Sequence, residues 1–283
     1  MAHDLIFPYN EILVANLNIM SYTASKFAIP ADSYVHSTTG ETTEQWNARY
    51  NMIITTLLNI PALDIICLEE VDIQFYNLLT IQFTHFKIDY DTKNRLVVMI
   101  KSNIFVELTK LPFEEYRFSK IAPYEIILTN GKYLVLSHVH LNGDPAKGIE
   151  RREIINKLCE EFPSNQIIIG DFNENLSQSD IENYNYTILD RPFKTSYSRF
   201  KINPSGFVTG IHENQWDTVD NIIFNSDDFK IINDVIVPER GLENRYVPYR
   251  PIGDDRDYKY AENYSEWFSD HSLNIYQLYF IPE

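Results

Sequence analysis

The chain has 283 residues, 44% of them hydrophobic, and a formal net charge of −16. That is enough to bury a sizeable core in one large domain or two smaller ones, and no run approaches the roughly 18 unbroken apolar residues that read as a membrane-spanning helix. The acidic balance argues against a general, non-specific nucleic-acid coat, although a local basic strip or bound cations can override the net field and leave room for a nuclease.

The first residues, MAHDLIFPYNE, have neither a basic region nor an apolar stretch, so no secretory leader is expected. Glu11–Ile19, EILVANLNI, reads as a first strand. Residues 20–43 are irregular and rich in Ser, Thr and Ala. From Glu44 to Asn59, apolar side chains at Trp46, Tyr50, Ile53, Ile54, Leu57 and Leu58 have helical spacing. Leu63–Leu68 is a second, buried strand that runs into Glu69 and Glu70. Further strands are expected at Arg95–Lys101 and Ile104–Leu108, and Tyr124–Thr129 and Lys132–His140 flank Asn130-Gly131, a strong hairpin signal. A helix follows over Ala146–Phe162, with Ile149, Ile154, Ile155, Leu158 and Phe162 as its apolar residues. Three consecutive isoleucines then lead Gln166–Gly170 into Asp171, Phe172 and Asn173, the pattern of a buried strand that stops at a surface. Val219–Phe224 and Leu273–Phe280 supply later strands.

Two connections, 20–43 and the Arg/Tyr/Asp-rich 238–268, exceed ordinary loop lengths, which in compact domains marks functional or disordered segments. With no fixed-period repeat and no Gly/Ser linker, residues 1–283 read as one α/β domain with a mixed sheet. The two cysteines, Cys67 and Cys159, lie in apolar and helical patterns. They are expected to be reduced core thiols, which favours an intracellular, cytoplasmic location.

Several strand-like runs begin or end in residues suited to phosphate chemistry. Asn16 and Asn18 end the first, Glu69 and Glu70 the second, and His138 and His140 the hairpin strand. Asp171 and Asn173 end the triple-isoleucine strand, Asp217 and Asp220 open the next, and Ser269-Asp270-His271 precedes the last. One polar strand end is commonplace, and Asp, Asn and Gly are also ordinary turn residues. Six such ends read as one site assembled along an edge of stacked sheets.

These motifs resemble the endonuclease/exonuclease/phosphatase superfamily, the fold of DNase I, abasic-site endonucleases, inositol phosphatases and deadenylases. The matching pieces are LNI at Asn18, DIICLEEVD at Glu70, VHL at His140, IIIGDFN at Asp171 and Asn173, VDNIIF at Asp220, and SDH at Asp270 and His271. They fall in the family's order over residues 12–273. Trp46 and Arg49, a W-x-x-R ahead of the glutamate strand, are similar to the deadenylase, nocturnin and 2′-phosphodiesterase branch.

The resemblance implies a four-layer α/β sandwich, two packed mixed β-sheets flanked by helices, that hydrolyses phosphodiesters with Mg²⁺, or with Mn²⁺ in its place. Glu70 would hold the metal, and Asp270 would be a second ligand or an orienting group. Asp171 would orient or deprotonate the attacking water with Asn173 and Asn18, while His271, held by Asp220, and His140 would stabilise the charged transition state. His138 is read as structural or peripheral, and Asn16 and Asp217 as turn residues or supports of the site. Two departures stand out: Glu69 occupies a place where the family usually has Gln, and Asn221 one often filled by His or Tyr.

Two rivals are weaker. The run HVHLNGD invites comparison with the H-x-H-x-D-H zinc motif, but Asn142 and Gly143 stand where Asp and His are needed. A non-catalytic scaffold would have lost motif groups, and none is lost. For substrate, Arg191–Lys201 (RPFKTSYSRFK) places Arg191, Lys194, Arg199 and Lys201 among Phe193, Tyr197 and Phe200 with no acid between them. That pattern suits a phosphate backbone with stacked bases, with a solvated basic loop as the alternative. The expected substrate is RNA or single-stranded nucleic-acid ends, cut by a monomeric enzyme. The alternative is a small phosphorylated molecule or a phosphotyrosyl-DNA adduct.

Overall fold

A computed structural model describes residues 10–19, 43–181, 183–189, 196–202, 208–217, 219–237, 249–251, 258–260, 271 and 273–282. The elements are β1 (Glu11–Asn18), α1 (Thr43–Leu58), β2 (Ile65–Glu69), α2 (Ile73–Gln82), β3 (Phe86–Asp91), β4 (Leu96–Lys101), β5 (Phe105–Lys110), β6 (Lys120–Leu128) and β7 (Tyr133–His140). After them come α3 (Gly148–Glu161), β8 (Gln166–Asp171), β9 (Tyr186–Ile188), β10 (Ser196–Ile202), β11 (Val208–Asp217), β12 (Asp220–Asn225), β13 (Phe229–Val237), β14 (Tyr249–Pro251), β15 (Tyr258–Tyr260) and β16 (Leu273–Phe280).

Two six-stranded sheets carry the structure, ordered β13-β16-β1-β2-β4-β3 and β5-β6-β7-β8-β12-β9. Each has one parallel pair, β1 with β2 and β7 with β8, and antiparallel neighbours elsewhere. Both parallel pairs are joined through a helix, as parallel strands require. α1 and α2 pack their Tyr50, Ile53, Leu57, Phe75 and Leu79 on the outer face of the first sheet. α3 packs Ile154, Ile155 and Leu158 on the outer face of the second. The expected four-layer arrangement, helices outside and two mixed sheets inside, is what the chain forms.

The core between the sheets follows from alternation along each strand. Ile12 and Val14 of β1, Ile65 and Cys67 of β2, Leu134 and Leu136 of β7, Ile167 and Ile169 of β8, and Ile222 and Phe224 of β12 all enter one inter-sheet cluster. Carrying the same parity on places Asn16 and Asn18, Glu69, His138 and His140, Asp171, and Asp220 on those inner faces. The inner rows are apolar for most of their length and turn polar at one shared end.

Some expectations need correcting. The helix expected over Ala146–Phe162, α3, starts later, at Gly148, after a 3₁₀ turn over Pro145–Lys147, and its Ile149 is exposed. Residues 196–201 of the basic segment are not a loop, because β10 pairs with β11 as a hairpin. Asp217 closes β11 rather than opening the next strand. Within 238–268, β14 and β15 form a short hairpin. Asn16 is a fully buried mid-strand residue, not a turn. Both cysteines are free and buried, as expected.

Gly170 shows how closely the two strands under the site approach. Its φ is +146°, and an added Cβ would sit 1.8 Å from the Val139 carbonyl oxygen of β7. Gly131 also has positive φ, +82°, but has open space around it. Gly131→Ala should therefore cost about 1–2 kcal/mol of backbone strain, whereas Gly170→Ala should cost more than about 4 kcal/mol. Urea unfolding of the two variants checks this; equal losses would mean the β7–β8 approach is not the constraint.

Candidate active site

Three groups stand in one row across the second sheet. His140 is the register partner of Asp171, and Asp171 that of Asp220. On the first sheet, Asn18 is the partner of Glu69, with Glu70 next in sequence. The Asn18 amide spans the gap, its Nδ2 donating to Asp171 Oδ2 at 3.1 Å and to Glu70 Oε1 at 3.3 Å. Asp171 is fixed again through Oδ1, which accepts the Asn173 backbone N–H at 2.8 Å. Asn173 is itself tied down by Nδ2 donating to the Leu141 carbonyl at 2.8 Å, with a left-handed backbone at φ +51°.

His271 completes the cluster. Its Nδ1 lies 3.0 and 2.9 Å from the two Asp220 oxygens, so Nδ1–H donates to that carboxylate and Nε2 is left facing Asp171 Oδ2 at 3.7 Å. His140 Nε2 lies 3.8 Å from the same oxygen and 4.0 Å from Glu70 Oε1. Asp171 and Asp220 are buried, whereas the His140 and Glu70 side chains keep 22% and 23% exposure. The site thus has a wet mouth and a dry floor. Burial raises the Asp171 carboxyl above the ordinary range, His271 and His140 pull it back, and Asp220 pushes it up. A carboxylate so raised is a stronger base than one in water.

Glu70 has φ +57°, and its loop is held by neighbours on every side. Val71 N–H donates to the Arg95 carbonyl at 2.9 Å, and Ile19 N–H to the Glu69 carbonyl at 3.1 Å. Asp72 then caps α2, accepting from Phe75 N–H at 2.9 Å and from the Tyr50 hydroxyl of α1. Glu70 Oε2 is buried without a hydrogen-bond partner. An orphaned carboxylate oxygen beside a second carboxylate is the donor set a hard divalent cation takes. Asp171, Asp220 and His271 also offer ligand atoms within 4.8 Å of one another. In that group, however, Asp220 is already satisfied by the His271 N–H, so Glu70 is the better-suited ligand.

Asp270, Arg191 and Lys194 lie outside the described residues, and for Tyr197, Arg199 and Lys201 only the β10 backbone is described. The other residues singled out, Asn18, Glu70, His140, Asp171, Asn173, Asp220 and His271, are brought together. Arg49 was noted only as part of W-x-x-R; it is fully buried and donates Nη1 to the Ile19 carbonyl at 2.5 Å, holding the end of β1 beside Asn18. Arg151 was missed. It is buried, donating to Glu174 at 2.8 Å and to the carbonyls of Asn142 and Asp144 at 2.6 and 2.8 Å, which pins the turn against Asn173.

The model of the endonuclease/exonuclease/phosphatase family matches residues 18–271, from the Asn18 at one end of this cluster to the His271 at the other. The chain belongs to that family. Members of the endonuclease/exonuclease/phosphatase family hydrolyse phosphoesters and depend on divalent metal, which agrees with the Glu70 donor set. No curated protein matches closely enough in sequence to count as a relative. Among solved structures, a humanised D. rerio TDP2 superposes with a TM-score of 0.61 at 12% identity, covering 95% of this chain and 99% of that one. The human nocturnin catalytic domain gives 0.58 at 14% identity, covering 96% and 94%. A mannosyl-6-phosphatase of Bacteroides thetaiotaomicron gives 0.58 at 13%, covering 96% and 100%. At these identities the likeness is one of fold.

His138 does not join the row that faces solvent. It is fully buried and its Nε2 lies 2.6 Å from Glu69 Oε1, a strut from the second sheet to the first. Burial pushes the Glu69 carboxyl well above the ordinary range, Asp220 and Asp171 add to this, and His271 opposes it. Burial lowers His138 to about 3, with His140 acting the same way. The pair is therefore neutral and shares one proton in the folded state.

In the unfolded chain the ordinary values are 4.5 for Glu and 6.5 for His. The raised Glu69 contributes stability that is lost as pH rises above 4.5, and the depressed His138 stability that is lost as pH falls below 6.5. Between those values folded and unfolded pairs hold the same number of protons and the two effects cancel. Outside the window stability should fall by up to about 1.4 kcal/mol per pH unit. Unfolding free energies in EDTA, compared with the Glu69→Gln/His138→Asn double variant, should show this bell; a difference that does not vary with pH would mean the folded pair gains and loses protons at the same pH as the unfolded chain.

Proposed function

We propose that this protein is a Mg²⁺-dependent phosphodiester hydrolase acting on nucleic acid, with RNA or single-stranded ends as its substrate. The observation that carries the reading is the alignment of a buried Asp220–His271 pair on Asp171, beside a Glu70 whose second oxygen has no protein partner. Glu70 would hold the cation, with Asp270 adjacent to His271 in sequence as a second ligand. A bound divalent cation supplies charge neutralisation for the phosphate oxygens.

The remaining roles belong to the chain's own side chains. Asp171, oriented by the Asn18 amide and the Asn173 N–H, takes the proton of the attacking water. His271, fixed in one tautomer by Asp220, presents Nε2 to the developing negative charge, and His140 does so from the neighbouring strand. The basic residues Arg191, Lys194, Arg199 and Lys201, with Tyr197 among them, would grip a strand backbone. A structure of D. rerio TDP2 in complex with a single-strand DNA product supports the nucleic-acid reading. The mannosyl-6-phosphatase structure, equally similar in fold, favours a second reading in which the substrate is a small phosphate ester.

A substrate panel decides between them: single-stranded RNA and DNA, duplex DNA, phosphotyrosyl-DNA, 2′,5′-oligoadenylate, and sugar and inositol phosphates, each with Mg²⁺, with Mn²⁺ and with EDTA. Oligonucleotide cleavage should appear only with metal, and Asp171→Asn should lower kcat by roughly 10²–10⁴-fold with binding retained. Full activity in EDTA overturns the metal assignment, and turnover confined to sugar phosphates overturns the nucleic-acid one.

The Asp220–His271 pair gives a second check. Each alanine variant should lose most of kcat, and the double variant should be little worse than either. Losses that multiply would mean the two groups act separately.

A further inference from the structure

The row of inner-face residues across the second sheet does not stop at His140. The register partner of His140 on β6 is Lys120, so Asp220, Asp171, His140 and Lys120 stand on four adjacent strands. Neighbouring strands are roughly 4.8 Å apart, which puts the Lys120 backbone one strand beyond a group of the catalytic cluster. Lys120 opens into a groove of about 780 Å³, lined also by Lys93, Lys110, Phe113, Tyr116 and Arg117.

Both sheets hold the groove against the catalytic cluster. On one side, Ser119 Oγ accepts the Asn142 N–H at 3.1 Å, just past His140. On the other, the turn bearing Lys93 continues into Arg95, whose Nη2 approaches the Glu70 carbonyl at 3.5 Å. Asn94 Nδ2 crosses between the sheets to the Ile121 carbonyl at 3.5 Å.

Its charge is unusual for this chain. Four of the 24 Lys and Arg residues line it against two acids, Glu114 and Glu115, in a protein of net charge −16, and Glu114 is itself paired with Lys157. Lys110 is neutralised by Asp91 at 2.6 Å, and Lys93 is paired with Glu115 at 2.5 Å, though both partners of that pair are exposed and exchange readily with solvent. Arg117 and Lys120 have no carboxylate partner among the described residues; Arg117 lies over the Phe118 ring, 4.8 Å from its centre. Phe113 and Tyr116 also line it and are seated on the core under α3.

We propose that this groove binds the nucleotide next to the scissile bond, its phosphate against Arg117 and Lys120 and its base along the Phe113 wall. The volume lies in the roughly 300–1,000 Å³ range of small-molecule sites, and cations set among aromatic rings are the chemistry of single-strand recognition. The inference rests on the nucleic-acid reading above and names where one unit of that substrate sits.

The test compares kcat/KM on single-stranded oligoadenylate with kcat/KM on bis(p-nitrophenyl) phosphate, an ester too small to span the cluster and the groove. Arg117→Gln/Lys120→Gln should lower the oligonucleotide-to-ester ratio by about tenfold or more. The salt dependence of the oligonucleotide KM should flatten by roughly 0.7 slope units per lost phosphate contact. Phe113→Ala, with thermal melting to confirm folding, should lower the same ratio. If wild type cuts oligoadenylate and both ratios hold, the groove assignment is overturned and the nuclease reading stands. If wild type cuts the small ester and no oligonucleotide, both are overturned.

Discussion

The constraint on which the rest of this structure depends is that two sheets share one interior. Each strand sends alternate side chains into that interior, so residue identity along one parity decides whether a given level is oil or chemistry. For most of the depth, isoleucine, valine, leucine and phenylalanine fill it. At one end the same rows present Asn16, Asn18, Glu69, His138, Asp171 and Asp220, all buried. Burying such groups without partners costs about 1–3 kcal/mol each, and most are matched across the gap or along the row: Asn18 to Asp171, Glu69 to His138, Asp220 to His271. Glu69 Oε2, Glu70 Oε2, His138 Nδ1 and both polar atoms of the Asn16 side chain have no hydrogen-bond partner. These five atoms lie near the site, where stability is commonly given up for function.

Seen this way, it is clear which parts of the fold could be read from the amino acids alone. β1, β2, β7, β8 and β12 are largely apolar runs with polar residues at one end, and both their existence and their shared polar end were legible. Less legible was α2, IQFYNLLTIQ, which is apolar on nearly every side and only ten residues long, so it shows no helical face; the cap at Asp72 was its one local signal. β13 escaped because its alternation is broken by a register shift between Ile231 and Asn233. The β10–β11 hairpin has shifts at two points and no short turn of the Asn-Gly kind to announce it. At the site, motif residues were legible because each ends a strand. Arg49 and Arg151 were not, since they act by donating to backbone carbonyls, and no spacing rule records which carbonyl lies within reach.

Glu69 carries a further lesson. By sequence it is an acid where the family usually has Gln, which would add negative charge beside Glu70. Its partner His138 changes the sign of that expectation, because a neutral acid–imidazole pair adds hydrogen bonding between the sheets without adding a net charge. What seemed two separate oddities, an acid in one sheet and a spare histidine in the other, is one bond.

The position of β16 has a consequence for how the protein comes into being. That strand lies between β13 and β1, so a gap one strand wide parts the edge strand from the rest of the first sheet until Leu273–Phe280 is inserted. His271, immediately ahead of it, is the last described member of a cluster that begins at Asn18. Contacts of such long sequence separation are slow to form, because chain closure must precede the interactions that reward it. During synthesis, a chain that has completed the second sheet still exposes the open flank of β1 to whatever strand it meets, and its cluster still lacks His271. That histidine reaches the cluster with the same event that seals the edge.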